Sequence, residues 1–204
     1  MKLIPFYGRS WESNSYLITD GGLAILIDAG VAAKEVLLHL ERENAKLQYI
    51  LLTHGHFDHT VSVDLLREQT DARLAVHQAD AEMLTDAQKS ARVVFFGTYE
   101  VNKEADLLLT DTDTLAFGDQ TIRLIHTPGH SAGSVCYQIE NMLFTGDTLF
   151  DGSYGRFDLY GGDARALVQS LEKLKAQDPS LTIYPGHGGS ALLGEALTKL
   201  FGHL

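Results

Sequence analysis

Cysteine is almost absent: Cys136 is the only one among 204 residues. A single thiol excludes an internal disulfide and any four-cysteine zinc site, and it fits a reduced compartment. Positive charge is also scarce, with 16 Lys and Arg against 27 Asp and Glu and a formal net charge of −11. That balance argues against nucleic acid as a partner, because phosphate binding is driven largely by Lys and Arg. It also disfavours steering of an anionic substrate by the global field, although a local metal would outvote it. There is no apolar run of about 18 residues, so no membrane span is expected. The apolar start of the chain is broken by Pro5 and ended by Gly8 and Arg9, too short for an export-signal core. A cytoplasmic protein is the reading that follows. Hydrophobic residues at 45% and charged residues at 21% make a folded globular chain the expectation rather than a disordered one.

What is present is an alternation of short apolar runs with helical stretches. Residues 14–19 and 23–28 read as a hairpin around Asp20-Gly21-Gly22. Residues 32–44 read as a helix, with Val36, Leu37 and Leu40 on one face. A buried strand at 47–53, a helix at 60–69, a strand at 73–77 and a short helix at 78–85 follow. Residues 86–106 show no clear period and read as a lid or edge loop. Strands are expected at 114–117, 121–126, 134–139 and 142–145, then a turn-rich stretch from Asp151 to Asp163. A helix at 164–176, a strand at 181–184 and a helix at 190–200 complete the α/β pattern. No linker divides the chain, so residues 1–204 read as one domain. A weak internal echo accompanies this order: strand, acid, helix, strand, His occurs around Asp28 and His54, and again around Asp147 and His187.

The strongest chemical signal is Thr53-His54-Gly55-His56-Phe57-Asp58-His59, directly after a buried strand. Neutral imidazoles and a carboxylate suit Zn²⁺ and other borderline divalent ions. On an extended backbone, His54 and His56 point to the same side, while Asp58 and His59 enter the next turn. One ion cannot easily take all four, so two adjacent ions are expected. His130, in Thr127-Pro128-Gly129-His130, Asp147, in Phe144-Thr145-Gly146-Asp147, and His187, in Tyr184-Pro185-Gly186-His187, each follow a strand beside Gly or Pro. Open α/β sheets place their ligands at that end of the strands.

This set resembles the metallo-β-lactamase fold superfamily, over residues 28 to 188. The resemblance implies a four-layer αββα sandwich of two mixed sheets with helices on the outer faces. It also implies a dinuclear centre in which His54, His56 and His130 hold one ion and Asp58, His59 and His187 the other, with Asp147 bridging. Asp28 falls where the family keeps an acid supporting the site; a helix N-cap ahead of 32–44 is its other reading. Within the superfamily, residues 126–134, 144–147, 152–158 and 161–163 resemble the short glyoxalase-II-like hydrolases, which cleave thioesters such as S-lactoylglutathione. The chain ends about one helix after His187, so the added C-terminal helical region of full glyoxalase II is expected to be missing. Tyr160 departs from the proline common there.

The implied reaction is attack of a metal-bridging hydroxide on the carbonyl of a small thioester or ester, with Asp58 and Asp147 as the catalytic carboxylates. The ions would be two divalent metals, zinc first, with iron or manganese as substitutes. Arg156 is read either as a clamp for a substrate carboxylate or phosphate or as the ion-pair partner of Asp158 or Asp151, and Tyr154 as a pocket residue. His126 reads as packed or supporting, His39 and His77 as helix-surface and strand-end residues, Cys136 as a small buried hydrophobe, and His203 as part of a fraying tail. Gly186-His187-Gly188-Gly189 lacks Gly-Lys-Ser/Thr and is no phosphate loop. The competing enzyme reading is a mononuclear iron persulfide dioxygenase using His54, His130 and Asp147. The competing non-catalytic reading is a metal-binding scaffold.

Overall fold

The run Leu23-Ala24-Ile25-Leu26-Ile27 has no polar residue, so a strand built from it needs cover on both faces. The computed structural model, which describes residues 1–202, supplies that cover. Ala24 and Leu26 pack outward against a helical layer with Val36, Leu40, Val63 and Leu66. Ile25 and Ile27 pack inward against a second sheet, with Tyr137, Phe144 and Phe117. A third cluster joins Ile125, Leu143 and Ile183 of the second sheet to Leu167, Leu171, Leu193 and Leu197 of two further helices. The three clusters define four layers, helix, sheet, sheet, helix, as the αββα expectation requires.

The first sheet contains β1 (Lys2–Phe6), β2 (Ser15–Asp20), β3 (Leu23–Ile27), β4 (Lys46–Leu51), β5 (Arg73–His77) and β6 (Leu107–Leu109), in that spatial order. The second contains β7 (Thr114–Phe117), β8 (Gln120–His126), β9 (Val135–Ile139), β10 (Met142–Gly146), β11 (Thr182–Pro185) and β12 (Ala191–Leu192), again neighbouring in sequence order. Both sheets are mixed: β3–β4, β4–β5, β5–β6 and β10–β11 are parallel and the other pairs antiparallel. The internal echo corresponds to the two crossovers β3–α1–β4 and β10–α4–β11, where α1 is Ala33–Glu43 and α4 is Ala164–Lys175. Helix α2 (Val63–Thr70) joins α1 on one face, and α5 (Leu193–Phe201) joins α4 on the other.

Several expectations need correction. Strand β1 was not foreseen; Pro5 fits because β1 is an edge strand, where a missing N–H costs no ladder bond. The short helix expected at 78–85 is present as a 3₁₀ helix, Gln78–Thr85. Inside 86–106 lies a short helix α3 (Arg92–Phe96), and β6 follows it. The last helix starts at Leu193 because Ala191 and Leu192 pair with Ile183 and Thr182. The α1 N-cap is Ala32, with no side-chain bond, so Asp28 does not cap that helix. His203 lies outside the described residues. No helix among the described residues is long and apolar enough to cross a membrane.

Candidate metal centre

The chain leaves the C-terminal ends of β3, β4, β8, β10 and β11 on one side of the sandwich, and each exit carries a polar side chain of the cluster. After β3, Asp28 adopts the left-handed region at φ 55. Its carboxylate accepts the Thr53 backbone N–H at 2.8 Å, the Thr53 hydroxyl at 2.9 Å and the His59 ring Nδ1–H at 2.8 Å. A non-glycine residue at positive φ is strained and persists where its surroundings hold it, here by three bonds to the β4 exit and the turn beyond it.

These bonds assign tautomers, one after another. Thr53 gives its proton to Asp28, so its oxygen accepts from His54 Nδ1 at 3.1 Å. His54 therefore offers an Nε2 lone pair. His130 Nδ1 donates to the Arg156 backbone oxygen at 2.6 Å, which leaves its Nε2 lone pair free. That Nε2 faces His54 Nε2 at 3.1 Å and His56 Nδ1 at 2.8 Å. Three ring nitrogens thus converge, and lone pairs directed at one another are stable only with a cation or proton between them. His54, His56, His59 and His130 are all buried.

Asp58, His59 and His187 form a second group beside the first. His187 Nε2 lies 3.2 Å from Asp58 Oδ2, and His59 Nε2 lies 3.6 Å from the same oxygen. Asp147 sits between the groups: Oδ2 is 3.6 Å from both His130 Nε2 and His187 Nε2, and Oδ1 is 3.4 Å from His59 Nε2. His59 Nε2 and Asp147 Oδ1 are buried without a hydrogen-bond partner. Two buried lone pairs, one on an imidazole nitrogen whose Nδ1–H is already given to Asp28 and one on a carboxylate oxygen, fit divalent ions, which would satisfy both.

Protonation follows the same division. Burial drives His54 well below the ordinary histidine value, and burial with the neighbouring His130 lowers His56 to about 3. Burial also opposes charge on His59 and His187, but Asp28, Asp58 and Asp147 outweigh it at His59, and the hydrogen bond that His187 gives Asp58, together with the charge of Asp147, outweighs it at His187, so both are raised. Burial pushes Asp58 and Asp147 up, while His59 and the other nearby imidazoles more than compensate and hold both below the usual carboxylate range.

Glycine is needed where β10 and β11 bring these groups together. Gly146 has φ 49, and a Cβ there would lie 2.4 Å from Thr53 Oγ1. A Cβ on Gly186 would lie 2.2 Å from Asp147 Oδ1 and 2.7 Å from His59 Cε1.

Arg156 forms a bidentate pair with Asp158, at 2.6 and 2.8 Å, and also lines the cavity beside the cluster. Of the two ion-pair partners expected for it, Asp158 is the one observed, while Asp151 pairs with Lys199. Tyr154 is exposed and is not among the residues that line this cavity. His126 and His77 stack at 4.3 Å with planes 16° apart and both bond Asp111. Near-parallel rings cannot direct in-plane lone pairs at one ion, so this His–Asp–His group is a hydrogen-bonded link between the ends of β5 and β8.

Four contributors were missed. Asn14 bonds Pro185 and Gly188 oxygens and so fixes the His187 loop from the opposite sheet. Asp80, fully buried, accepts from Gly55 N–H at 3.0 Å, Gly133 N–H at 2.6 Å and the Ser131 hydroxyl at 2.6 Å. It ties the His54–His56 loop to the His130 loop, and its only sequence signal is a lone acid between alanines. Trp11 and Phe95 stand on the cavity wall, brought there from segments distant in sequence.

Comparison with known proteins agrees with this geometry. The family model described as "Metallo-beta-lactamase superfamily" matches residues 8–187. The probable metallo-hydrolase YqgX of Bacillus subtilis (strain 168) is 32% identical, over 87% of this chain and 85% of its own. Among solved structures, the BLEG-1 B3 metallo-beta-lactamase superposes with a TM-score of 0.92 at 33% identity, covering 98% of this chain and 100% of that one. TTHA1623, solved in a di-iron-bound form, gives 0.84 at 32% identity, covering 96% of each chain.

Proposed function

The chain belongs to the metallo-β-lactamase superfamily, and from that premise we propose that it is a metal-dependent hydrolase of small thioesters. The observation that carries this reading is the convergence of the His54, His56 and His130 ring nitrogens beside the second group, Asp58, His59 and His187. His54, His56 and His130 would hold one ion and Asp58, His59 and His187 the other, with Asp147 shared. Zinc is the proposed metal; iron and manganese accept the same donors. Divalent cations held there supply Lewis acidity and a water activated at neutral pH.

The residues of the chain account for the rest. Asp58 and Asp147 border the cavity and stay ionised, so each can take a hydrogen bond from the attacking water. Water adds to the carbonyl carbon, the carbon–sulfur bond breaks, and a carboxylic acid and a thiol leave. A thiol, with a pKa of about 8.5, departs as thiolate without a general acid. Beyond the cluster the cavity is lined by Trp11, Phe57, Ala91, Phe95, Leu159 and Arg156, none of which is a proton donor of suitable strength. This supports a thioester over an amide. The substrate is proposed to be a small molecule, S-lactoylglutathione-like in reaction type, with no nucleic acid or membrane partner, and the site of action the cytoplasm.

The test is elemental analysis followed by a panel of thioesters, S-lactoylglutathione and a chromogenic β-lactam, with Asp147→Asn as control. Two ions per chain, thioester turnover, and loss of activity by orders of magnitude in a folded Asp147→Asn protein are expected. One iron per chain with oxygen uptake on glutathione persulfide would replace the hydrolase by the mononuclear reading, in which only His54, His130 and Asp147 hold the metal. Turnover of the β-lactam alone would replace the thioester.

A further inference from the structure

The cavity beside the cluster is chemically one-sided. Its floor is made by His56, Asp58, His130, Asp147 and His187, and its wall by Trp11, Phe57, Ala91, Phe95 and Leu159. The wall residues come from the β1–β2 loop, the 3₁₀ turn after β4, the α3 region and the loop after β10, so no local sequence pattern produces the patch. The aromatic rings interlock: Trp11 meets Phe57 at 5.8 Å and Phe96 at 5.1 Å, and Phe57 meets Phe95 at 5.6 Å. Such packing fixes the shape of the wall before a ligand arrives. Phe95 is 50% exposed and Trp11 43%, so apolar surface is left uncovered at the rim.

Size and charge narrow the occupant. The cavity holds about 210 Å³, less than the roughly 300–1,000 Å³ of sites for drug-sized ligands. A peptide- or nucleotide-bearing thiol carrier does not fit such a space, whereas an acyl group does. The one cation on the wall, Arg156, is already matched by Asp158. An anionic tail would find no free counter-charge on the wall.

We propose that Trp11, Phe57, Phe95 and Leu159 form an acyl pocket that selects thioesters with a short, uncharged, apolar acyl group and leaves the thiol carrier outside. This rests on the hydrolase reading of the same site.

Trp11 is the only tryptophan, so its emission reports occupation of the pocket without any turnover. The probes are unreactive S-alkyl thioethers of N-acetylcysteamine, methyl to octyl, titrated into the metal-loaded protein. Affinity should rise about fourfold per added methylene and level off once about seven water-sized groups fill the space. A hexyl probe ending in a carboxylate should bind at least tenfold more weakly than hexyl itself, and Phe95→Ala should flatten the chain-length series. The matching acyl-thioester series should show the same slope in kcat/KM. Affinity independent of chain length in the unmodified protein, or tighter binding of the carboxylate-ended probe, would overturn the pocket. So would Trp11 emission that follows protein concentration instead of probe, since that marks the wall as an interface between two copies. Turnover without dependence on acyl length removes the pocket and keeps the hydrolase; length-dependent binding with no thioester cleaved removes the hydrolase and keeps the pocket.

Discussion

Asp80 shows how a residue that touches none of the cluster side chains still shapes it. Its carboxylate collects two backbone N–H groups and a hydroxyl from the two loops that carry His54, His56 and His130. Burial raises its pKa, and the bonds from Ser131, Gly133 and Gly55 only partly offset that. Replacing Asp80 by Ala strands two buried N–H donors, at about 1–3 kcal/mol each. The expected outcome is a lower urea midpoint for the metal-free protein, together with weaker retention of metal against a chromophoric chelator. Unchanged metal retention at reduced stability would limit Asp80 to a structural part. Asp28 and Thr53 act similarly on His54 and His59, by fixing which ring nitrogen carries the proton. The histidines and aspartates were legible in the sequence because each stands beside Gly, Pro or another ligand-type residue. Asp80 was not, since nothing in Gln78-Ala79-Asp80-Ala81 indicates which loops will close on it.

Among the elements, those with strong periodicity were read correctly and those stabilised by neighbours were not. Strand β3 and helices α1 and α4 announce themselves through apolar patterning, and α4 also through Asp163, whose carboxylate caps it by accepting Ala166 N–H at 2.9 Å. Strand β6 has three residues and exists because β5 lies beside it; α3 has five and presents Phe95 and Phe96 to Phe57. The β10–β11 parallel pair is the element that sets the Asp147–His187 geometry, and Gly186 is its closest approach. Gly186→Ala would drive a methyl into Asp147 Oδ1 and the His59 ring, so Asp147 must shift. Expected is a fall in kcat of at least about tenfold, from displacement of a group that needs placement to a fraction of an ångström, with far-ultraviolet circular dichroism unchanged. Wild-type kcat in that variant would mean that Asp147 tolerates displacement.

For the whole molecule, the two groups of imidazoles titrate in opposite senses. In the folded metal-free protein His54 and His56 are depressed, so the unfolded chain binds protons that the native state refuses, and stability is lost as pH falls below the ordinary histidine value of about 6.5. His59 and His187 are raised, so their contribution is complete below that value and is lost as pH climbs through their folded values. Asp80 runs against the first pair only at lower pH, above the usual aspartate range. The thermal midpoint of the metal-free protein should therefore peak near pH 6.5 and decline on both sides; a midpoint that rises steadily to pH 9 would refute the assignment of His59 and His187. The amino-acid sequence alone determined the α/β class and the cluster residues, because strand patterning and ligand-type side chains beside Gly, Pro or one another are local properties of the chain; the four-layer expectation came from the family resemblance that those residues carry. Tertiary structure alone decided the tautomers, the place of Asp80 and Asn14, and the aromatic wall. Each of those depends on segments up to 174 residues apart meeting at one edge of the sandwich, and no local pattern encodes such a meeting.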